Sequence, residues 1–218
     1  MNILKKLKVS RNFIFDCDGV ILNSNHIKTS AFFNVLEKYG APLAKKLQNY
    51  HIANGGISRY DKFNYFFQHI INRKPKKNEM ETILENFSYD VKKQLLVCDV
   101  EKSLGKFREY TNHSNWFVVS GGDQEELREI FKKRNISYMF NGGIYGSPRN
   151  KNEIMLDLTE SGKVSGSSIF IGDSEYDARI ASDFKLDFIF LSQWTEVIDW
   201  QLKFPDSAFK NLEALMTK

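Results

Sequence analysis

Short, nearly continuous apolar runs alternate along this chain with stretches whose apolar residues recur at helical spacing. Residues 13–15, 116–119, 169–171 and 188–191 are rich in aromatic and β-branched side chains and read as strands. They lack polar alternation, which predicts strands covered on both faces, as parallel strands are. Residues 124–134 place Leu127, Ile130 and Phe131 on one face of a crossover helix, and residues 153–159 and 176–182 read the same way. Residues 197–202 and 209–216 are expected to form a helical tail. The rhythm predicts an α/β fold, a doubly wound parallel sheet.

Between residues 24 and 97 the strand pattern disappears. Ile27, Ala31, Val35 and Tyr39 share one helical face, which Gly40-Ala41-Pro42 ends. Tyr60, Phe63, Phe67 and Ile70 line a second, and Met80, Ile83, Leu84, Phe87, Val91 and Leu95 a third. Ser58, three residues before Asp61, reads as a capping box opening the second of these helices. A short helix over residues 100–110, with Leu104 and Phe107 inward, is expected to return the chain to the sheet. The predicted organisation is an all-helical insert, residues 24–97, in an α/β core of residues 1–23 and 98–218.

Composition supports an ordinary globular protein: 42% of the 218 residues are apolar and 18 are Phe, enough for a core in each part. The balance of 31 basic against 27 acidic residues leaves 31 − 27 = +4. Its clearest local source, Arg73-Lys74-Pro75-Lys76-Lys77, has no interleaved aromatics and reads as a solvated turn, so no nucleic-acid partner is expected. Two cysteines, Cys17 and Cys98, make no disulfide framework, and a reducing cytoplasm is the expected location. Lys5, Lys6 and Lys8 interrupt the apolar residues of the first ten, unlike a signal peptide, and no apolar run is long enough to predict a membrane span. His26, His51, His69 and His113 share no metal-ligand spacing and are expected at the surface or in caps.

Chemistry concentrates where the strands end. The first runs into Asp16-Cys17-Asp18-Gly19-Val20, and the third into Gly172-Asp173-Ser174-Glu175-Tyr176-Asp177. Ligand crevices of open parallel sheets lie beyond the carboxyl ends of the strands, so both acidic clusters are expected to face one pocket. Their mutual repulsion calls for a hard cation, and Mg²⁺ typically takes a few carboxylates while keeping room for substrate phosphate. Asp16 and Asp18, two apart, would share a face on a regular strand, and Gly19 lets the backbone turn after them. One carboxylate can then attack phosphorus while the other handles protons. The competing reading is a surface Asp-x-Asp-Gly turn. Ser120, Gly121 and Gly122 offer a hydroxyl and bare amides to phosphoryl oxygens at a helix start, although the same residues also suit a turn and N-cap. Gly146-Ser147-Pro148-Arg149-Asn150-Lys151 opens a further helix, from which Lys151, with Arg149 as its competitor, can present a fixed positive charge.

This ordered set (an Asp pair, a Ser, a Lys at a helix start, a second acidic pair) resembles the haloacid dehalogenase-like superfamily of phosphohydrolases over essentially the whole chain. The resemblance implies that Asp16 is the nucleophile, Asp18 the general acid/base, and Ser120, Gly121 and Lys151 the phosphoryl binders. It implies Mg²⁺ on Asp173 supported by Asp177, with Asp16 and the Asp18 carbonyl also touching the ion. The insert resembles the family's cap of the first type, and Asn54-Gly55-Gly56-Ile57-Ser58-Arg59 its specificity loop, with Gly56, Ser58 and Arg59 toward substrate; an ordinary loop before a capped helix is the alternative. The implied activity is Mg²⁺-dependent hydrolysis of a small phosphomonoester, a phosphosugar or phosphoglycolate-like metabolite, through an aspartyl-phosphate. This is the phosphoglycolate phosphatase and β-phosphoglucomutase-like branch. Dehalogenases of the superfamily lack Asp18. A phosphosugar mutase is the closest rival, but such mutases place a His twelve residues after the nucleophile, where this chain has Lys28, and His26 is out of register. Lys28 also keeps a phosphonatase open. A non-catalytic binding module would have lost one of Asp16, Asp18, Lys151 or Asp173, and all are present.

Overall fold

The computed structural model describes residues 3–217. Helix α1 (Ile3–Val9) leads into β1 (Asn12–Phe15), and four helices follow: α2 (Asn25–Leu36), α3 (Ala41–Ala53), α4 (Arg59–Tyr65) and α5 (Glu79–Leu95). Helix α6 (Leu104–Tyr110) returns the chain to β2 (Asn115–Asp123), and then come α7 (Gln124–Lys133), β3 (Gly143–Ser147), α8 (Lys151–Glu160) and β4 (Ser168–Gly172). The chain continues through α9 (Glu175–Asp183), β5 (Asp187–Leu191), α10 (Trp200–Lys203), β6 (Ala208–Phe209) and α11 (Leu212–Met216). All six strands run parallel in the order β3-β2-β1-β4-β5-β6. That is the doubly wound arrangement, and its order reverses between β1 and β4, where a crevice opens.

Strands β1 and β4 are buried along their whole length. Phe13 and Phe15 turn to one face of the sheet, against Phe107 of α6, Trp116 and Phe140. Ile14, between them, turns to the other, with Phe117, Phe170 and the α8 residues Ile154, Met155 and Leu158. The side-chain period of a strand thus shares one apolar run between two cores. The first core continues into the helices after β1, where Phe32, Phe63, Phe66, Phe67 and Phe87 are buried. Among the described residues no helix is long and apolar enough to cross a membrane.

Several elements depart from the sequence reading. Strands β3 and β6 carry no apolar run: β3 holds two glycines, one of which, Gly146, leaves only 2.3 Å between an added Cβ and the Gly122 carbonyl oxygen. Residues 208–209 pair with β5 instead of starting a helix, and 197–199 precede the short α10 instead of belonging to it. The helix expected from residue 100 begins at Leu104. Helix α3 was hidden by Pro42, which ends the preceding helical pattern yet occupies the first turn of the next one, where its missing N–H is no loss. Residues 66–70 prolong α4 as a π-helical turn.

Phe107 has no solvent exposure and meets Phe13 edge-on at 5.5 Å and Trp116 at 5.7 Å. Phe107→Ala is expected to cost roughly 3–5 kcal/mol. Urea unfolding checks this; a loss under about 1 kcal/mol would mean that α6 does not help pin the sheet.

Candidate active site

Strand β1 ends at Phe15, and a tight turn follows in which the amides of Ile21 and Leu22 both donate to the Cys17 carbonyl, at 2.9 and 3.0 Å. Asp16 and Asp18 both line one chamber beyond the strand end. Gly19 sits in this turn at φ +75°, and a Cβ there would lie 2.0 Å from Asp173 Oδ2, so both backbone conformation and space require glycine. Strand register supplies the other half. Phe15 pairs with Ile171, and Asp16 N–H donates to the Ile171 carbonyl at 2.9 Å, which sets Asp16 beside the end of β4.

Asp16, Asp173 and Asp177 are all buried and offer oxygens within 4.8 Å of one another. Lys151 enters this cluster from the first residue of α8, whose start is fixed by a capping box between Asn150 and Glu153. Its Nζ donates to Asp177 Oδ1 at 2.6 Å and lies 2.9 Å from Asp16 Oδ1. The second contact is an ion pair without hydrogen-bond alignment, so the buried Asp16 Oδ1 has no hydrogen-bond partner. Arg149, the competitor, is exposed and pairs with Asp157. Asn25 donates to Asp173 Oδ2 at 2.6 Å, and Ser174 donates to Asp177 Oδ2 at 2.6 Å while capping α9.

Electrostatics follow from this crowding. Burial lifts Asp16 to about 7 against the pull of Lys151, with Asp177 and Asp18 adding to the rise. Burial likewise raises Asp173 well above the usual carboxylate range, helped by Asp16 and Asp177. Burial works against the Lys151 charge, but Asp16 and Asp177 outweigh it and hold the ammonium above its ordinary value. At Asp18 burial is also overcome: Lys28 donates to Oδ2 and Ser24 to Oδ1 at 2.6 Å, and the carboxyl falls below its ordinary value. An unpartnered buried carboxylate oxygen beside two further carboxylates is a donor set that fits a hard divalent cation.

Gly121 and Gly122 also line the chamber and form its glycine wall. Ser120 is fully buried, and its Oγ accepts the Gly122 N–H at 3.0 Å. The loop before α4 lies directly on this wall: a Cβ on Gly121 would come within 2.3 Å of the Gly56 carbonyl oxygen, and one on Gly56 within 3.3 Å of Lys151 Nζ. Ser58 is the N-cap of α4, its Oγ accepting Asp61 N–H at 3.2 Å and donating to the Asp61 carboxylate at 2.7 Å. Arg59 borders the chamber, but its guanidinium is held by Glu126 at 2.6 and 3.1 Å, by Ser88 at 2.7 Å and by the Phe87 ring. Asp16, Asp18, Gly121, Lys151, Asp173, Asp177 and Gly56 are thus brought together, whereas Ser120 and Ser58 sit behind backbone turns and Arg59 faces α7.

The chamber measures about 50 Å³. Its wall on the side of α2–α4 includes Lys28, Phe32, His51 and Lys62, which the sequence reading did not assign together. His51 is buried, contrary to the expected surface or cap position, because α3 packs it on Phe32 at 4.6 Å and against Lys62 Nζ, 2.7 Å from Nδ1. One signal was available: Lys62 interrupts an otherwise aromatic helical face next to Phe63.

A parallel sheet that gathers three buried carboxylates and a lysine beyond its switch point defines an α/β enzyme with an acidic centre. The profile of the haloacid dehalogenase-like hydrolases matches residues 13–191, and the chain belongs to that family. Solved structures of similar fold include a predicted phosphoglycolate phosphatase from Haemophilus somnus 129PT, with TM-score 0.73 and 15% identity over 95% of this chain and 96% of that one. Others are a hydrolase from Pseudomonas syringae, with TM-score 0.72 and 16% identity over 95% and 96%, and a predicted phosphatase from Clostridium acetobutylicum, with TM-score 0.72 and 18% identity over 94% and 96%. No curated protein sequence matches the chain significantly.

Burial, reinforced by Lys28, brings Lys62 down from 10.5 to about 7. Between those values the unfolded chain holds the extra proton, so this residue makes stability rise with pH; below about 7 both states are charged and the full burial cost remains. Lys62→Met is therefore expected to stabilise the fold by up to a few kcal/mol near pH 6, with the gain shrinking toward pH 10. Urea unfolding across this range checks it, and a gain that grows with pH would contradict the assignment.

Proposed function

We propose that the chain is a Mg²⁺-dependent phosphatase of small phosphomonoesters working through an aspartyl-phosphate on Asp16. The observation that carries this reading is the meeting of Asp16, Lys151, Asp173 and Asp177 in one buried cluster facing Gly121. Residues 24–97 then act as the cap and residues 1–23 and 98–218 as the catalytic core. The thiols of Cys17 and Cys98 are free, which suits a cytoplasmic protein.

Asp16 and Asp173, supported by Asp177 and the Asp18 carbonyl, would hold the ion. When bound, Mg²⁺ supplies positive charge that keeps these carboxylates ionised and draws phosphoryl oxygens toward them. Lys151 adds a second positive charge, and the Gly121 and Gly122 amides line the wall where phosphoryl oxygens would rest. The Asp16 carboxylate attacks phosphorus, the ester P–O bond breaks, and the departing alkoxide takes a proton from Asp18. Asp18, now a carboxylate, takes a proton from the water that attacks phosphorus, and the bond to Asp16 breaks.

Lys28 gives Asp18 a particular character. Held below its ordinary value, Asp18 is ionised at neutral pH and suited to activating water, while proton donation requires an arriving phosphate dianion to raise it. Lys28 donates to Asp18 from the position where phosphosugar mutases carry a His, which supports hydrolysis over isomerisation.

Asp16→Asn is expected to reduce phosphate release by roughly 10³-fold or more with the melting temperature nearly kept, and chelation of divalent ions to abolish wild-type turnover until Mg²⁺ is restored. Phosphate release from p-nitrophenyl phosphate measures both; near-normal turnover of the variant would remove Asp16 as nucleophile. Asp18→Asn is expected to slow alkyl phosphates about 10² to 10⁴-fold and aryl phosphates, whose leaving groups need no proton, much less. Equal losses on the two ester types would exclude Asp18 as the acid.

A further inference from the structure

Lys62 is 1% exposed and borders the same chamber as Asp16 and Asp18. Among the described residues no carboxylate lies within ion-pair distance of it. The acids nearest in role are engaged elsewhere: Asp18 by Lys28 and Ser24, Glu126 by Arg59, and Glu196 by the Thr29 hydroxyl at 2.8 and 2.9 Å. The partner of Lys62 is His51 Nδ1, and the other nitrogen of that ring, Nε2, is buried with no hydrogen-bond partner. Phe32 packs on both, with Lys62 Nζ 5.5 Å from its ring centre, so water cannot solvate the pair freely.

A buried lysine nitrogen without a counter-charge and a buried imidazole nitrogen without a hydrogen-bond partner, on residues bordering one cavity, are an incomplete site. Lys28, on the same wall, adds to the positive potential there. An acceptor with negative charge completes both groups at once, and Asp16, Asp173 and Gly121 line the same chamber.

We propose that Lys62 and His51 form a second anion-binding subsite, which takes a carboxylate or a second phosphate at the end of the substrate remote from the phosphoryl group being transferred. The assignment rests on the phosphatase reading and narrows it to small esters with two anionic ends. Arg59, the sequence-level candidate for the distal contact, is committed to Glu126, whereas Lys62 has its charge free.

The test compares kcat/KM for ethyl phosphate, phosphoglycolate and ethylene glycol bisphosphate in the wild type, Lys62→Met, Lys62→Arg and His51→Gln. The wild type is expected to favour one of the two-anion esters over ethyl phosphate by about tenfold or more, with the carboxylate and bisphosphate arms identifying which anion. Lys62→Met should cut that ratio about tenfold, chiefly through KM, and Lys62→Arg should retain part of it. Should Lys62→Met fail to fold, His51→Gln carries the same comparison. A wild-type ratio near one, with p-nitrophenyl phosphate still hydrolysed, overturns the subsite and leaves the phosphatase reading standing. So does a ratio that neither variant changes. If no ester is hydrolysed, calorimetric binding to otherwise unmodified protein decides: tighter binding of a two-anion ester than of ethyl phosphate, lost in Lys62→Met, supports the subsite, and equal binding overturns it.

Discussion

Charge compensation at Lys151 is the constraint around which this site is assembled. A lysine in the first turn of a helix stands at the unfavourable end of the dipole, and one without solvent exposure has no water to stabilise it. Its place is tenable because Asp177 and Asp16 lie 2.6 and 2.9 Å away. Those carboxylates in turn are crowded by each other and by Asp173, and need positive charge to remain ionised. Each member therefore compensates another: Lys151 without both carboxylates would stand as an uncompensated buried charge, the costly case in a low-dielectric interior. The sheet delivers two of the acids, at the ends of β1 and β4, while the starts of α8 and α9 deliver the lysine and the third acid.

A second set of charges fixes the helices before β2 over this cluster, and all of it converges on α7. Arg59 meets Glu126, the Tyr60 hydroxyl donates to Asp123 at 2.9 Å, and Lys92 pairs with Glu129. Helix α7 begins two residues after Gly122, so the element that follows the glycine wall also holds the helices before β2 in place. With bulky residues at Gly56 and Gly121 the two surfaces could not touch as they do. The Asn54–Ile57 loop becomes a thin partition between the inner chamber and a wider outer cleft that reaches Tyr176, Arg179 and Lys203. A buried ion pair such as Arg59 with Glu126 adds little net stability, since desolvation offsets its attraction; what it contributes is a defined seat.

What could be read from the chain follows the range of the physics involved. The central strands and their terminal acids were legible because apolar continuity and the residues just after it are local. Strand β3 was not, since its glycines answer to the approach of the β2 turn, which no local pattern records. Asp16 and Asp18 were expected on one side from their spacing and do line one chamber; what the spacing could not show is the turn held by the Cys17 carbonyl just after them. Arg59 was expected toward substrate, but its guanidinium is held by Glu126, 67 residues away, and nothing near either residue announces the pair. His51 was misjudged together with α3, the helix that buries it, because Pro42 reads as a stop until one sees that it also begins something.

Three lysines border or enter this one site, and their differing compensation gives the chamber a direction. Lys151 has two carboxylates, Lys28 has one in Asp18, and Lys62 has only an imidazole. Positive charge is thus cancelled near the strand ends and left uncancelled near α4, while surplus carboxylate accumulates where a cation would bind. On the proposed reading, an ion that neutralises that surplus leaves the chamber attracting anions both at the carboxylate cluster and at Lys62, with Phe32 and the glycine wall as its uncharged lining. A molecule with one negative end is then free to bind in either sense, whereas one with two ends of different shape is fixed by the geometry of the phosphoryl site. Keeping Lys62 uncompensated lowers the stability of the fold, and an apolar residue of the same volume would fill the space without that cost. The residue's position is understandable if discrimination among substrates, and not the packing of the helices, is what it supplies.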